Sequence, residues 1–286
     1  MCRWVGYLGD SIRPEQILYE SPHSLIEQSR HAVKGLVAED GTVPAPFTNG
    51  DGFGLGWSGH REQPGLYRNV MPAWGDPNLR DIAGQIESRV FLAHVRAATG
   101  TAVQQTNSHP FRYARWLFVH NGFVAEYEHL RHDLILAVGP ELFENVQGTT
   151  DSELLFHLAL KFGLEEDTIG ALERMAGFVE ELGRSRGVGE PLQMTVGVSD
   201  GERLYAVRYA SGPAVNSLYV TRDARDVRAL CPNDERVQQL GDHSRAIVSE
   251  PLDDLPELWI EVPPSTALII QPGDHTQIPF TPQPPS

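Results

Sequence analysis

Val90-Phe91-Leu92-Ala93-His94-Val95 is an almost unbroken apolar run, closed by Arg96. Trp116-Leu117-Phe118-Val119 is a second, closed by His120, Asn121 and Gly122. Short runs rich in β-branched and aromatic residues read as strands. Apolar side chains at nearly every position mean that both faces of such a strand are covered. The sheet holding these strands therefore has other layers on both sides, and the polar residues that end the runs stand out. Those residues are Arg96 and the Asn121-Gly122 pair.

The remaining pattern supplies the other layers. Trp4-Val5-Gly6-Tyr7-Leu8 reads as a buried strand that sets the N-terminus beside a sheet. Residues 24–32 have the period of a short helix. In residues 50–57 glycine alternates with apolar residues, so that a backbone or ligand can approach closely. This stretch contains Gly54-x-Gly56-x-x-Gly59, the spacing of a dinucleotide fingerprint. A turn through Glu62, Gln63, Pro64 and Gly65 follows it instead of a helix, so the match is discarded. Residues 65–70 read as the hairpin partner of this strand. Asp76-Pro77 caps a helix over 78–88. Further helices are expected over 126–138, 151–162 and 167–182, with Thr150 and Glu153 at capping-box spacing. Strands are expected over 193–198, 203–209, 217–221, 245–249 and 266–271. Strands, then helices, then strands describe an α+β chain of two packed sheets with helices outside. The proline-rich residues 279–286 are expected to be a disordered tail after a single domain over 2–278.

Composition narrows the function classes. With 23 basic against 38 acidic residues, the net charge of -15 argues against nucleic acid or an anionic membrane as partner. The two cysteines, Cys2 and Cys231, exclude a disulfide framework. No signal peptide and no span of about 20 apolar residues is found, so a cytoplasmic location is expected.

Cys2 follows the initiator methionine, and its small side chain permits removal of Met1. Its thiol, with a pKa of about 8.5, would then share a carbon with an amine of pKa about 8, which makes a nucleophile with its own base. Amide hydrolysis also needs donors for an oxyanion and groups that orient the substrate. Asn121 and Gly122 can supply the donors, although Asn-Gly is equally a hairpin signal. Arg96 suits a substrate carboxylate, or else an ion pair with one of the many acidic residues. Asp151 suits a substrate ammonium, or else plain helix capping. Together these residues complement an α-amino acid bearing a side-chain amide. His129 and His132 lack the partners of a metal site, and no cofactor or metal is expected.

In family order, Met1-Cys2, Asp51-Gly52-Phe53-Gly54-Leu55-Gly56, His94-Val95-Arg96-Ala97-Ala98-Thr99-Gly100, His120-Asn121-Gly122 and Thr149-Thr150-Asp151-Ser152-Glu153 resemble the class II glutamine amidotransferase domain, a branch of the N-terminal nucleophile hydrolases. Met1-Cys2-Arg3, Pro22-His23-Ser24-Leu25, Pro72-Ala73-Trp74-Gly75-Asp76 and Ser249-Glu250-Pro251-Leu252 are similar to its stand-alone branch, which includes the ergothioneine-pathway γ-glutamyl amidohydrolase. The resemblance implies a four-layer αββα sandwich, thioester chemistry at Cys2 and a small-molecule γ-glutamyl substrate. It supports catalytic roles for Asn121 and Gly122 and substrate-binding roles for Arg96 and Asp151. Synthase-coupled members carry tryptophan directly after the arginine and histidine four residues after it; here those positions are Ala97 and Gly100. Hydrolysis without ammonia transfer is therefore expected. The alternatives are a glutaminase subunit delivering ammonia to a separate synthase, or a non-catalytic γ-glutamyl-binding protein. Loops 34–49 and 60–77 are expected to set specificity.

Overall fold

The computed structural model describes residues 2–31, 48–98, 100–233, 238 and 241–285. In chain order the first elements are β1 (Arg3–Ile12), α1 (Glu15–Leu18), α2 (Leu25–Arg30), β2 (Phe53–Trp57), β3 (Gly65–Asn69), α3 (Pro77–Gln85), β4 (Ser88–Val95), β5 (Phe111–Tyr113) and β6 (Trp116–Val124). The helices α4 (Tyr127–Val138), α5 (Pro140–Phe143), α6 (Asp151–Lys161) and α7 (Thr168–Ser185) follow. The chain continues through β7 (Leu192–Ser199), β8 (Leu204–Ala210), β9 (Tyr219–Thr221), α8 (Ala224–Leu230), β10 (Arg245–Val248), β11 (Trp259–Glu261), β12 (Thr266–Gln271) and β13 (Asp274–Pro279).

The strands form two antiparallel sheets. One has the order β11-β9-β10-β1-β4-β2-β3, and the other β13-β12-β8-β7-β6-β5. Strand alternation sorts the core into three apolar interfaces. Even-numbered residues of β1 and β4 (Trp4, Leu8, Val90, Leu92) meet Leu117, Val119, Leu204 and Leu268 between the sheets. Odd-numbered ones (Val5, Tyr7, Phe91, Ala93, Val95) pack beneath Leu18, Leu25, Ile26, Leu79 and Ala83 of the first three helices. On the far side, Phe118, Val196, Val198 and Val207 pack against Leu130, Leu134, Phe156, Leu172 and Met175. The molecule is the four-layer αββα sandwich expected, and the apolar runs at 90–95 and 116–119 are covered on both faces. No helix of the described residues is long and apolar enough to cross a membrane.

Local chemistry sets the elements close to their expected bounds. Asp76 caps α3 by accepting from the Leu79 N–H at 3.0 Å, with Pro77 in the first turn. Gly54 admits a neighbouring backbone and Gly56 a neighbouring side chain, not a ligand. A Cβ on Gly54 would sit 2.3 Å from the His109 carbonyl, and one on Gly56 2.8 Å from Leu117.

Two expectations are corrected. Asn121-Gly122 does not turn a hairpin: β6 runs on to Val124, paired with β7 from Leu117↔Ser199 to Val124↔Leu192. Continuous pairing overrides the local turn preference. Residues 279–285 are not disordered. Pro279 closes β13, Phe280 is buried against Tyr209, and the Thr281 N–H donates to Glu173 at 2.7 Å. Proline favours extended backbone, and one aromatic anchor suffices to dock it. Residues 34–47 of the first expected specificity loop lie outside the described residues.

Candidate active site

The two sheets bring the ends of β1, β4 and β6 together. Cys2 immediately precedes β1, and β1 lies beside β4 with Arg3 opposite Val95. Partly buried, the Cys2 Sγ lies 3.6 Å from the Ala97 carbonyl, just past β4. Burial pushes the Cys2 thiol up; the Ala97 hydrogen bond, the chain amine, Arg96 and Arg3 pull the other way. Arg3 folds back so that its Nη1 donates to the Cys2 carbonyl at 2.9 Å, while its Nε donates to the buried Glu250 carboxylate at 2.7 Å.

Arg96 is only 3% exposed. Its Nη1 donates to the Asp51 carbonyl at 3.3 Å and its Nη2 to Thr101 Oγ1 at 2.6 Å. Among the described residues no carboxylate pairs with it, so the ion-pair alternative does not hold. Burial lowers the Arg96 guanidinium pKa, while Cys2, Asp51 and Asp151 nearby favour its charge. Asp51 holds the segment after β4 in place: its Oδ2 accepts from the Ala98 N–H at 2.8 Å.

Asn121 lies on the inter-sheet face of β6 and is buried. Its carbonyl accepts from Thr195 Oγ1 at 3.3 Å and Asn216 Nδ2 at 3.1 Å. Its side-chain amide has no protein partner among the described residues. Gly122 follows, and a Cβ there would lie 1.9 Å from the Gln193 carbonyl, so only glycine fits. The Ala125 N–H donates toward β7, to Pro191, whereas the Val124 N–H donates to Asp151 Oδ2 at 2.8 Å. Alternation along the strand places the Gly122 N–H on the Val124 edge, away from β7.

Thr150, not Asp151, caps α6, accepting from the Glu153 N–H at 3.3 Å. The Asp151 carboxylate instead ties the helix to β6 and accepts also from the Ser152 N–H at 2.6 Å. Next to it the buried His120 shares a hydrogen bond with Ser152 Oγ at 2.8 Å. Burial lowers the His120 pKa, and Asp151 opposes the shift. Among the described residues the His94 ring nitrogens meet no partner beyond the His120 backbone, and the ring packs 4.2 Å from that of His109.

Cys2 and Asp151 thus lie near Arg96, and Asp151 binds β6 two residues past Gly122. Sequence reasoning missed the residues that hold them: Asp51, Thr101 and Asn107, whose Nδ2 bridges Ala102 O and Thr149 Oγ1 at 2.9 and 3.1 Å. Asp51 carried a signal, the Asp-Gly pair opening a glycine-alternating strand; the other two carried none. His129 and His132 are exposed beside Glu126 and Asp133. Among the described residues no group of three His, Cys, Asp or Glu side chains could hold a metal ion.

The family model for class-II glutamine amidotransferases matches residues 39–285, a span that begins after Cys2. The probable glutamine amidotransferase DUG3 of Saccharomyces cerevisiae is 28% identical over 299 residues, covering 95% of this chain and 82% of that protein. The gamma-glutamyl-hercynylcysteine sulfoxide hydrolase of Mycobacterium tuberculosis is 30% identical over 175 residues, 59% of this chain and 65% of that one. Among solved structures, a glutamine aminotransferase class-II domain protein from Silicibacter pomeroyi superposes with a TM-score of 0.71 at 32% identity, covering 98% of this chain and all of that one. The chain belongs to the class-II glutamine amidotransferase family.

Proposed function

We propose that the protein is an N-terminal cysteine amidohydrolase that cleaves a γ-glutamyl amide through a thioester. One observation carries this reading: a buried guanidinium without a carboxylate partner, Arg96, beside the Cys2 thiol. A buried charge left unpaired is costly, and a substrate α-carboxylate offsets that cost through a two-pronged hydrogen bond. Asp151, across from Arg96, receives the α-ammonium. The amide carbon then meets Cys2.

After Met1 is removed, the thiol proton passes to the Cys2 α-amine as sulfur attacks the amide carbon. The Asn121 side-chain N–H and the Gly122 backbone N–H stabilise the oxyanion. Collapse breaks the C–N bond, and the amine hands its proton to the departing nitrogen. Water then adds to the thioester, giving a proton to the same amine, and glutamate leaves as the thiol is restored. Burial raises the thiol pKa, which suits a neutral thiol–amine pair at rest.

The relative from Mycobacterium tuberculosis bears the name of a γ-glutamyl hydrolase, which supports a γ-glutamyl conjugate over free glutamine as substrate. The test is Cys2→Ala in a screen of γ-glutamyl amides, together with the intact mass of the wild type. Cys2-dependent glutamate release from protein lacking Met1 is expected. An active Cys2→Ala protein refutes the mechanism, and a fully Met1-retaining protein with full activity refutes the α-amine as base.

A further inference from the structure

We propose that Thr195 is a positioning residue that aims the Gly122 N–H at the oxyanion; this rests on the function proposed above. The space between the sheets is filled almost wholly by apolar side chains, whose contacts are non-directional. At the end that carries Cys2 and Asn121 a polar chain crosses it, as Arg208 to Glu261 and Arg245 to the Gly273 carbonyl do elsewhere. Trp4 Nε1 donates to Thr195 Oγ1 at 3.1 Å. An indole N–H only donates, so the Thr195 oxygen accepts and its own proton goes to the Asn121 carbonyl, 3.3 Å away. Asn216 Nδ2 donates to the same carbonyl.

The Asn121 carbonyl and the Gly122 N–H belong to one planar trans peptide and point in opposite directions. The pairing of β6 with β7 turns the carbonyl toward β7, the Thr195 hydroxyl and Asn216 amide tighten its aim there, and the N–H faces away, on the edge where Val124 meets Asp151. Thr195 thereby fixes a proposed oxyanion donor without touching substrate.

The chain's other end is anchored two residues after the nucleophile. The Trp4 N–H donates to Ser249 Oγ at 3.0 Å, and the Ser249 N–H returns a bond to the Trp4 carbonyl at 3.0 Å. The Trp4 ring lies over Gly197, where a Cβ would come within 2.8 Å of it. Thr195 and Gly197 sit on one face of β7, the first receiving the indole N–H and the second leaving room for the ring. The link therefore sets the Cys2 strand and the oxyanion strand relative to one another where the side chains around it are apolar and impose no direction.

The experiment compares wild type, Thr195→Val and Thr195→Ser. Valine keeps the branched shape and removes both hydrogen bonds; serine keeps the hydroxyl. Loss of a whole oxyanion donor costs about 10²–10³-fold in kcat, so loosening one is expected to cost roughly 10-fold, with KM unchanged. Serine is expected to restore kcat. Inhibition supplies a readout that a purely structural role would not move. The γ-aldehyde analogue of glutamate adds to the thiol to form a tetrahedral oxyanion, whereas glutamate does not. Thr195→Val should weaken the aldehyde about 10-fold and leave glutamate inhibition unchanged. Wild-type kcat in Thr195→Val, or equal weakening of both inhibitors, overturns the proposal. Absence of glutamate release by the wild type itself overturns the parent reading instead, so the two failures are distinct.

Discussion

Replacing Arg96 with glutamine separates a binding role from a structural one by two readings that move in opposite senses. The guanidinium is 3% exposed and, among the described residues, bonded only to the Asp51 carbonyl and the Thr101 hydroxyl. If Arg96 were half of a buried ion pair, its loss would strand a carboxylate and cost about 3–5 kcal/mol. At about 2–4 °C per kcal/mol for a chain of this size, Tm would fall by roughly 6–20 °C. No carboxylate is stranded here. Glutamine leaves two neutral oxygens without the guanidinium, while the desolvation cost of a buried charge disappears. The expected change in Tm is therefore within about 3 °C.

Activity should respond far more strongly. Each hydrogen bond from the guanidinium to a substrate carboxylate contributes about 1.5–3 kcal/mol, so a two-pronged contact contributes about 3–6 kcal/mol. At 1.4 kcal/mol per decade this is a loss of roughly 10²- to 10⁴-fold in kcat/KM, carried mainly by KM. The assay is steady-state glutamate release from a γ-glutamyl amide, run beside 4-aminobutanamide, which has the amide and amine but no α-carboxylate. Arg96→Gln should leave the poor turnover of that analogue unchanged. An unchanged KM for the γ-glutamyl amide, an equal loss on both substrates, or a fall in Tm of 10 °C or more would refute the assignment.

Two further expectations concern stability. Phe280→Ala should cost about 3–5 kcal/mol and lower Tm by roughly 6–20 °C without changing KM, whereas a disordered tail would show no change in a thermal melt. Acid should destabilise the fold through histidine. Burial holds His94 down at about 3 from an ordinary value of 6.5, and lowers His109 and His157 as well. The unfolded chain takes up these protons first, so stability is full above about pH 6.5 and declines as pH falls toward the folded value. His109→Phe keeps the ring that packs on Phe111 at 4.4 Å and removes one such site. It should flatten the dependence of Tm on pH between about pH 6.5 and 4, and an unaltered slope would refute the account.

The fold was readable where burial and alternation agree. Val90 to Val95 and Trp116 to Val119 announced strands covered on both sides because no polar residue there could face water. Signals failed where a segment's partner was distant in sequence. Asn121-Gly122 has the composition of a turn, and only β7, more than 70 residues on, keeps it extended. The tail has the composition of disorder, and Glu173 and Tyr209, distant in sequence, together with the Ser265 carbonyl give it somewhere to dock.

The candidate site divides along the same line. Cys2, Arg96 and Asp151 announced themselves as reactive or charged groups beside apolar elements, and Asn121-Gly122 as a polar pair closing an apolar run. Asp51, Thr101 and Thr195 are ordinary in their local context, and a threonine in a strand is what alternation asks for. Their importance comes from what lies across a gap: Thr101 beside the Arg96 guanidinium at 2.6 Å, and Thr195 between an indole on one sheet and a carbonyl on the other. Groups that perform chemistry must be chemically conspicuous, because a neutral alkyl chain can neither attack a carbonyl nor hold an oxyanion. Groups that aim them need only a hydroxyl or an amide at the right distance, and those are the side chains a folded protein uses everywhere. The positioning half of a site built between two sheets is therefore written in three-dimensional proximity, and Thr195→Val against Thr195→Ser is the measurement that reads it.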